Sequence, residues 1–578
     1  MFNTLYESIK RFFKFSDPHD FKYNFEFLGY APNYIKVSPF HRNEYTYQHY
    51  QNIVRKALET ELYGSDVIYI TQAFHHPVAT MDFVIESLRK GDLPDHIIPN
   101  DEHFRNGFKY AMERFRPPYR LRPVHFTDLV RYKWNWHPNV EEPYYSNRQL
   151  ERAVQTAHES GLIPDGRMSF GNLKNFVFMD TRHFLHQIKR DEVTSPSTLW
   201  PLMKIHVKSA LTKTDETKVR VIYGVSKRHV LAQAMFFWPL FRYYIESDDD
   251  PLLWGFETVL GGMMKMHIAM SIPRLYWTTF VTVDWSGFDL RSLFSLQRAC
   301  FDEWETWFDF DRGYIPTKWY PDTTTDPIQI KRLWNWQRDA CFRMPFVMND
   351  HSMYSRRFRS IPSGLYVTQY LDSNVNLVQI YTILDAMGFD IRQQTRVLVQ
   401  GDDSVIFLVF HIPADQHVEF KSRFQALATY YFDHVARAEK NELYNEPNGV
   451  EVLGYRNYNG WPIRDWRKLL AQLYHPRGAP DEPTLMARCC GITYASMYHP
   501  QVVAVCKNIY SYLYNKGVRA AQLKQMRDVI LFGEAEYQIP TDHFPLEHEV
   551  HRHLHQPYIR TQEDRDAYWP SDLFLDVC

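Results

Sequence analysis

Three aspartates define the chemistry open to this chain. Asp402 and Asp403 follow Gly401 in "LVQGDDSVIFLV", residues 398–409, between two runs of strand-forming residues. Asp284 closes the upstream run "WTTFVTV", and Asp289 follows five positions later, past the Ser286-Gly287 turn. A glycine-led tight turn projects paired carboxylates from a sheet edge. A carboxylate where a neighbouring strand ends could stand beside them. Hard Mg2+ ions take such oxygen ligands. Two ions roughly 4 Å apart lower the pKa of an attacking hydroxyl and stabilise a leaving pyrophosphate. Each feature alone has a plainer reading. Gly-Asp-Asp arises by chance in chains of this length, and Asp284 could be a simple helix N-cap. The company these residues keep decides between the readings.

The elements that must position them are legible. Residues 278–283 read as a buried strand, rich in Thr, Val and Phe. In "RSIPSGLYVTQYLDSNVNLVQIYTILDAMG" the Pro362-Ser363-Gly364 loop opens a long helix that stops at Gly388. Thr368, Asp372 and Asn376 form a polar stripe along it, while Tyr370, Leu371, Val375, Leu377, Val378, Ile380 and Leu384 crowd its other faces. A helix apolar nearly all round is buried, so its stripe is expected to face a cavity or substrate. A basic stretch runs from Lys204 to Arg228, and within "KTDETKVRVIYGVSKRH" Lys213, Lys218, Arg220, Lys227 and Arg228 alternate with apolar residues. Strand alternation puts Lys218 and Arg220 on one face, where a triphosphate could be gripped. A solvated edge strand bearing lysines is the bland alternative.

Composition bounds the rest. The 578 residues are 45% apolar and 16% aromatic, enough for a large core. The net charge of −2 gives no general attraction to nucleic acid, so any nucleic-acid contact is expected in an internal basic channel with acidic residues turned outward. Cys300, Cys341, Cys489, Cys490, Cys506 and Cys578 show no CxxC spacing and suit a reducing compartment. The amino end has no signal-peptide core. It reads as an amphipathic helix, with Phe2, Leu5, Tyr6, Ile9, Phe12 and Phe13 opposite Lys10, Arg11 and Lys14, docking onto its own protein in preference to a membrane. No apolar run is long enough to span a bilayer, so stable membrane insertion is not expected. The histidine-rich "HFPLEHEVHRHLHQ" misses zinc-protease spacing and reads as a solvated segment.

The ordered set "VDWSGFD", "PSGLYVTQ" with Ser373 and Asn376, and "GDDS", after the basic strand, resembles viral RNA-directed RNA polymerases, most of all those of partitiviruses, which are double-stranded RNA viruses. The resemblance spans about residues 200–470. It implies an α/β (α+β) right hand: N-terminal region and fingers over 1–262, palm over 263–305 and 359–460, a fingers insertion over 306–358, and a helical thumb with C-terminal tail over 461–578. The palm would be a βαββαβ core: the strand before Asp284, the helix from Leu365, the 397–410 hairpin, a helix near 415–437 and a strand over 450–456.

The resemblance also implies roles. Asp284 and Asp402, with Asp403 assisting, would bind two Mg2+ or Mn2+ ions. Asp289, Ser363 and Asn376 would sense the ribose 2′-hydroxyl, with Gly364 and Thr368 beside them at the nucleotide. Lys218 and Arg220 would hold the triphosphate, and Lys440 would protonate the pyrophosphate. Lys204, Lys208, Lys213, Lys227, Arg228 and Arg464 would contact RNA, "GVEVLGYRNYNGWPIR" would grip the primer end, and "TSPS" from Thr194 would guide the template. Many positive-strand relatives carry asparagine where this chain has Asp372, so sugar recognition is assigned to Asn376. The implied partners are template and product RNA, ribonucleotides and a viral capsid protein, inside a virion in the host cytoplasm. A picobirnavirus-like polymerase is the nearest alternative, ahead of a reverse transcriptase or a non-catalytic RNA-packaging protein.

Overall fold

The computed structural model describes residues 16–40, 47–216, 218–247, 249–271, 277–478, 481–521, 539–556, 559 and 561–575. The amphipathic stretch expected over residues 2–14, and Cys578, lie outside the described residues.

The palm is built from six elements. These are β1 (Thr279–Thr282), α1 (Thr368–Ala386), β2 (Thr395–Gln400), β3 (Asp403–Leu408), α2 (His417–Phe432) and β4 (Glu442–Tyr444). Their strands form one antiparallel sheet in the order β4-β1-β3-β2. Phe280 and Val281 of β1 are buried on opposite faces, as suits a central strand of β-branched and aromatic residues. Gly401 takes φ +60° where β2 turns into β3, a conformation that favours a residue without Cβ.

α1 is buried on every side from Tyr370 to Leu384. It packs on β2 and α2 and crosses the helix Glu102–Phe115. That crossing is close because Gly107 has no side chain: a Cβ there would lie 2.5 Å from the Thr382 nitrogen. The helix begins at Thr368, three residues after the expected start, and Gly388 follows its end with φ +95°.

The βαββαβ order holds, with one correction. The closing strand is β4, not residues 450–456. Glu442, Leu443 and Tyr444 pair with Thr282, Val281 and Phe280. Val450 and Val452 are buried as their pattern suggests, but Glu451–Val452 pairs with Tyr455–Tyr458, which in turn pairs with Trp461–Ile463, in a separate three-stranded sheet.

Above the palm a five-stranded fingers sheet runs in the order Phe25–Tyr30, Ser352–Arg356, Phe346–Val347, Met203–Ser209, Val219–Gly224. The helices Trp466–Tyr474, Glu482–Ala495 and Pro500–Asn515 share a second core with two N-terminal helices, Gln48–Glu61 and Gly64–Gln72. Tyr50, Ile53, Val54, Ala57 and Leu58 supply the buried stripe of the first. These N-terminal helices therefore pack with the C-terminal helices, across the expected division at residue 461. The tail departs in the opposite sense: Trp569 and Phe574 pack on Trp238 of the helix Lys227–Glu246, whose indole Nε1 donates to the Tyr568 carbonyl at 3.0 Å. Among the described residues no helix is long and apolar enough to cross a membrane.

Candidate active site

The sheet register brings the aspartates together. Val405 of β3 pairs with Thr282 of β1, and continuing that antiparallel register by two residues sets Asp284 opposite Asp403. Asp402 sits at the hairpin turn beside them. Burial pushes its carboxyl upward, and the charge of Asp284 adds to the shift. Burial likewise raises Asp403 to about 7, with repulsion from Asp402, Glu451 and Asp284 contributing. Solvent reaches both aspartates, yet protein closes around most of each side chain, as at the floor of a cleft.

The polar stripe of α1 holds this hairpin. Ser373 Oγ accepts the Gly401 N–H at 2.8 Å and donates to the Gln369 carbonyl at 2.7 Å. Asn376 Nδ2 donates to the Gly401 carbonyl at 3.0 Å, and its Oδ1 accepts the Trp285 indole N–H at 3.0 Å. Asn376 is fully buried, with both ends of its amide engaged. The expectation that it senses the ribose is thereby corrected: one helical turn along the stripe it faces the hairpin, and no free polar atom of it is left for a sugar.

Asp372 takes the position beside Asp289. The two carboxyls stand close enough to shift each other's titration. Burial, and then repulsion from Asp402, raises Asp289 to about 6, while Arg220 pulls it down. Burial, Asp289 and Asp402 drive Asp372 well above the ordinary carboxylate range. One proton shared between two carboxyls resolves such a pair. Asp372 Oδ1 is buried without a hydrogen-bond partner.

The Pro362-Gly364 loop lies flush on the fingers sheet. Ser363 Oγ accepts the Tyr223 N–H at 3.1 Å, Thr368 Oγ1 donates to the Pro362 carbonyl at 2.7 Å, and a Cβ on Gly364 would meet the Tyr223 oxygen at 2.2 Å. These three residues shape the loop by contacts within the protein. Lys218 and Arg220 both act on Asp402, and Lys208 stands across the ladder from Arg220. Burial lowers Lys218, and the neighbouring charge of Arg220 lowers it further.

The other basic residues divide. Lys204 is buried, with Nζ 3.5 Å from Glu141 and 3.7 Å from Glu142. Lys227 lies over the Phe170 ring within reach of Glu141, and Arg228 pairs with Asp180 at 2.8 Å. The expected all-basic channel with outward acids is corrected here: the buried Glu141 and Glu142 face inward and neutralise its far end. Lys213 is exposed on a short strand paired with Phe74, and Arg464 lies over the Tyr455 ring. Lys440 is exposed on the turn after α2.

That turn supplies residues that sequence patterns did not single out. Arg437 N–H donates to the Asp284 carbonyl at 2.9 Å, Asn441 Oδ1 accepts the Asp284 N–H at 2.9 Å, and Arg437 Nη2 lies 2.5 Å from Asp284 Oδ1. Arg437 and Lys468 also act on Lys218, so cations from three parts of the chain converge on one side of the aspartates. No local spacing announces residues of a turn that grips a strand about 150 positions away.

The donor set suits a hard divalent cation. It consists of carboxylate oxygens, and two of the carboxyls are driven upward by burial and mutual repulsion, strain that a cation relieves. Among the described residues no three metal-ligating side chains form a ready-made cluster, and Asp284 is turned onto Arg437. In the histidine-rich segment His543 bonds Glu549 and Asp542, and His551 reaches the Met497 carbonyl.

Comparison with known proteins agrees with this geometry. The family model described as viral RNA-dependent RNA polymerase matches residues 183–506, which contain all six palm elements and end within the helix Pro500–Asn515. The chain is similar to the RNA-directed RNA polymerase of White clover cryptic virus 1, with 31% identity over an alignment covering 96% of each. It is 27% identical to that of Atkinsonella hypoxylon virus, over 75% of this chain and 71% of the relative.

Proposed function

Because the chain belongs to the viral RNA-directed RNA polymerases, on the partitivirus side of that family, we propose how its site joins nucleotides. The chain is an enzyme that binds RNA and ribonucleotides and makes RNA on an RNA template. In our reading Asp284, Asp402 and Asp403 hold two divalent cations, Mg2+ or Mn2+. Bound there, such ions lower the pKa of the attacking 3′-hydroxyl and offset charge on the departing pyrophosphate.

The protein's own groups bind and orient. Lys218 and Arg220 take the triphosphate, the guanidinium offering two parallel donors. In this reading the Asp289–Asp372 pair meets the ribose, and the unpartnered Asp372 Oδ1 accepts a hydrogen bond from its 2′-hydroxyl. Lys440 delivers a proton to the pyrophosphate from its exposed turn. The hairpin through Tyr458 and Trp461, with Arg464 at its end, supports the primer terminus. Copying and transcribing a double-stranded RNA genome inside a capsid, in the host cytoplasm, is the setting this reading implies, with the capsid protein as partner.

The observation that carries it is the β1–β3 register, which when continued by two residues opposes Asp284 and Asp403, with Asp402 between them and the charges of Lys218 and Arg220. Purified protein is incubated with single-stranded RNA, four ribonucleotides and Mg2+ or Mn2+, and the products are run on a gel. Native protein is expected to extend RNA, whereas Asp402→Asn, which keeps shape but loses charge, is expected to lose at least about a hundredfold in rate, since the substitution removes a metal ligand. Near-native extension by this variant refutes the metal assignment.

A further inference from the structure

A cation already stands at Asp284, and it belongs to the protein. Arg437 Nη2 donates to Asp284 Oδ1 at 2.5 Å and reaches the Trp285 carbonyl at 3.3 Å. Asp402 and Asp403, by contrast, have no ion-pair partner within 4.0 Å among the described residues. The guanidinium is only loosely committed. Its Nε has no hydrogen-bond partner, and both side chains of the pair are partly exposed, at 33% and 40%.

The backbone frame around the pair does not depend on it. Neither the Arg437 N–H to Asp284 carbonyl bond nor the Asp284 N–H to Asn441 Oδ1 bond uses the guanidinium. The side-chain contact can therefore open while Asp284 keeps its place. A guanidinium and a divalent ion cannot hold the same carboxylate oxygen without repelling each other. Arg437 also lies within reach of Lys218, at the margin of the cluster that faces the aspartates.

We propose that Arg437 is a placeholder for the metal: its guanidinium neutralises Asp284 before an ion is loaded, then yields that carboxylate and turns to the phosphates held by Lys218 and Arg220. This rests on the two-metal reading above. Once metal and triphosphate are both bound, they bring opposite charges to the two sides of Arg437, so the guanidinium exchanges one anionic partner for another. In the loaded state Arg437 is a positioning residue for the triphosphate, and in the empty state it competes with the cation.

The test is Mn2+ binding to the full-length, nucleotide-free protein, read from the loss of the free-ion electron paramagnetic resonance signal. Arg437→Gln is expected to bind Mn2+ about fivefold more tightly, the scale of a partly exposed ion pair. Arg437→Lys keeps the charge but offers no fork, and is expected to fall between the two. At saturating Mn2+ the Gln variant is expected to show a raised KM for ribonucleotides. Equal or weaker Mn2+ binding by Arg437→Gln, with an unchanged melting temperature, overturns the proposal. Should that variant fold poorly, Arg437→Lys binding no tighter than native overturns it instead. If native protein shows no Mn2+ binding that Asp402→Asn removes, the two-metal reading falls as well, so the two failures are distinguishable.

Discussion

Asn376 Nδ2 lies 3.0 Å from the Gly401 carbonyl oxygen, so the buried helix α1 carries the catalytic turn directly. Ser373 completes the clamp through the Gly401 N–H. Asn376→Ala leaves a buried carbonyl and the Trp285 indole without partners, a loss of about 1–3 kcal/mol. The variant is expected to lower kcat at least tenfold, because hairpin placement is lost, while the ratio of ribonucleotide to deoxyribonucleotide efficiency stays within about twofold. Single-nucleotide incorporation with paired substrates measures both. A collapse of the ratio would return Asn376 to sugar recognition.

Discrimination is assigned instead to the Asp289–Asp372 pair. Asp289→Ala and Asp372→Ala each remove half of a carboxyl pair facing Asp402. Each is expected to weaken selection against deoxyribonucleotides by about tenfold, the scale of one hydrogen bond to substrate, with a smaller loss of ribonucleotide turnover. Since the two carboxyls form one unit, the double variant is expected to lose little more than either single one. Additive losses would show two independent contacts.

The same electrostatics predicts a pH signature in the metal-free protein. Asp289, Asp372, Asp402 and Asp403 all titrate higher in the folded chain than in the unfolded one, with values of about 6 for Asp289 and about 7 for Asp403. The native state therefore binds more protons than the unfolded state from about pH 4 upward, and this contribution to stability is lost as pH rises through 6 to 7. A bound cation removes the repulsion. The melting-temperature gain from Mg2+ over chelator is expected to be small at pH 5 and larger at pH 7.5, by on the order of 1–2 °C. Asp403→Asn is expected to shrink the difference. A gain independent of pH would place the ion elsewhere.

How far the residues themselves foretold this arrangement depends on the range of the interaction. β1, the Gly401 turn and α1 are periodic, locally encoded elements, and Asp284, Asp402 and Asp403 could be placed at their ends before any coordinates. Register did the rest, because a strand buried on both faces cannot slip. What stayed hidden is long-range. Asn376 and Asp372 lie one turn apart on the same stripe, and only the depth of the hairpin determines which of them meets Asp289. Arg437 and Asn441 grip Asp284 from a turn whose sequence carries no pattern. Glu442-Leu443-Tyr444 is too short to outcompete Val450 and Val452 as a strand signal, and it becomes the palm edge because Leu443 falls beside Val281.

The last prediction separates two kinds of lysine on one strand face. Lys204 and Lys208 lie four residues apart on that face, opposite Gly224 and Arg220. Lys208 is exposed, whereas Lys204 is buried against Glu141 and Glu142 and sits 3.6 Å from the centre of the Tyr145 ring. Replacing Lys218 and Arg220 by Ala is expected to raise the KM for nucleotides about tenfold or more, because charged donors to the triphosphate are lost, with a smaller effect on template affinity. Lys208→Ala is expected to weaken RNA binding and to reduce its salt dependence by about one counterion. Lys204→Met behaves differently. It strands two buried carboxylates, of which Glu141 keeps the His206 imidazole and Lys227 as neighbours and Glu142 keeps the Ser146 hydroxyl, so it is expected to destabilise the fold by roughly 3 kcal/mol while RNA affinity and KM hold. Melting curves and filter binding at several salt concentrations distinguish the cases. If Lys204→Met kept native stability and lost RNA affinity, the basic face would continue inward past Glu141, and the RNA path would run along the whole strand.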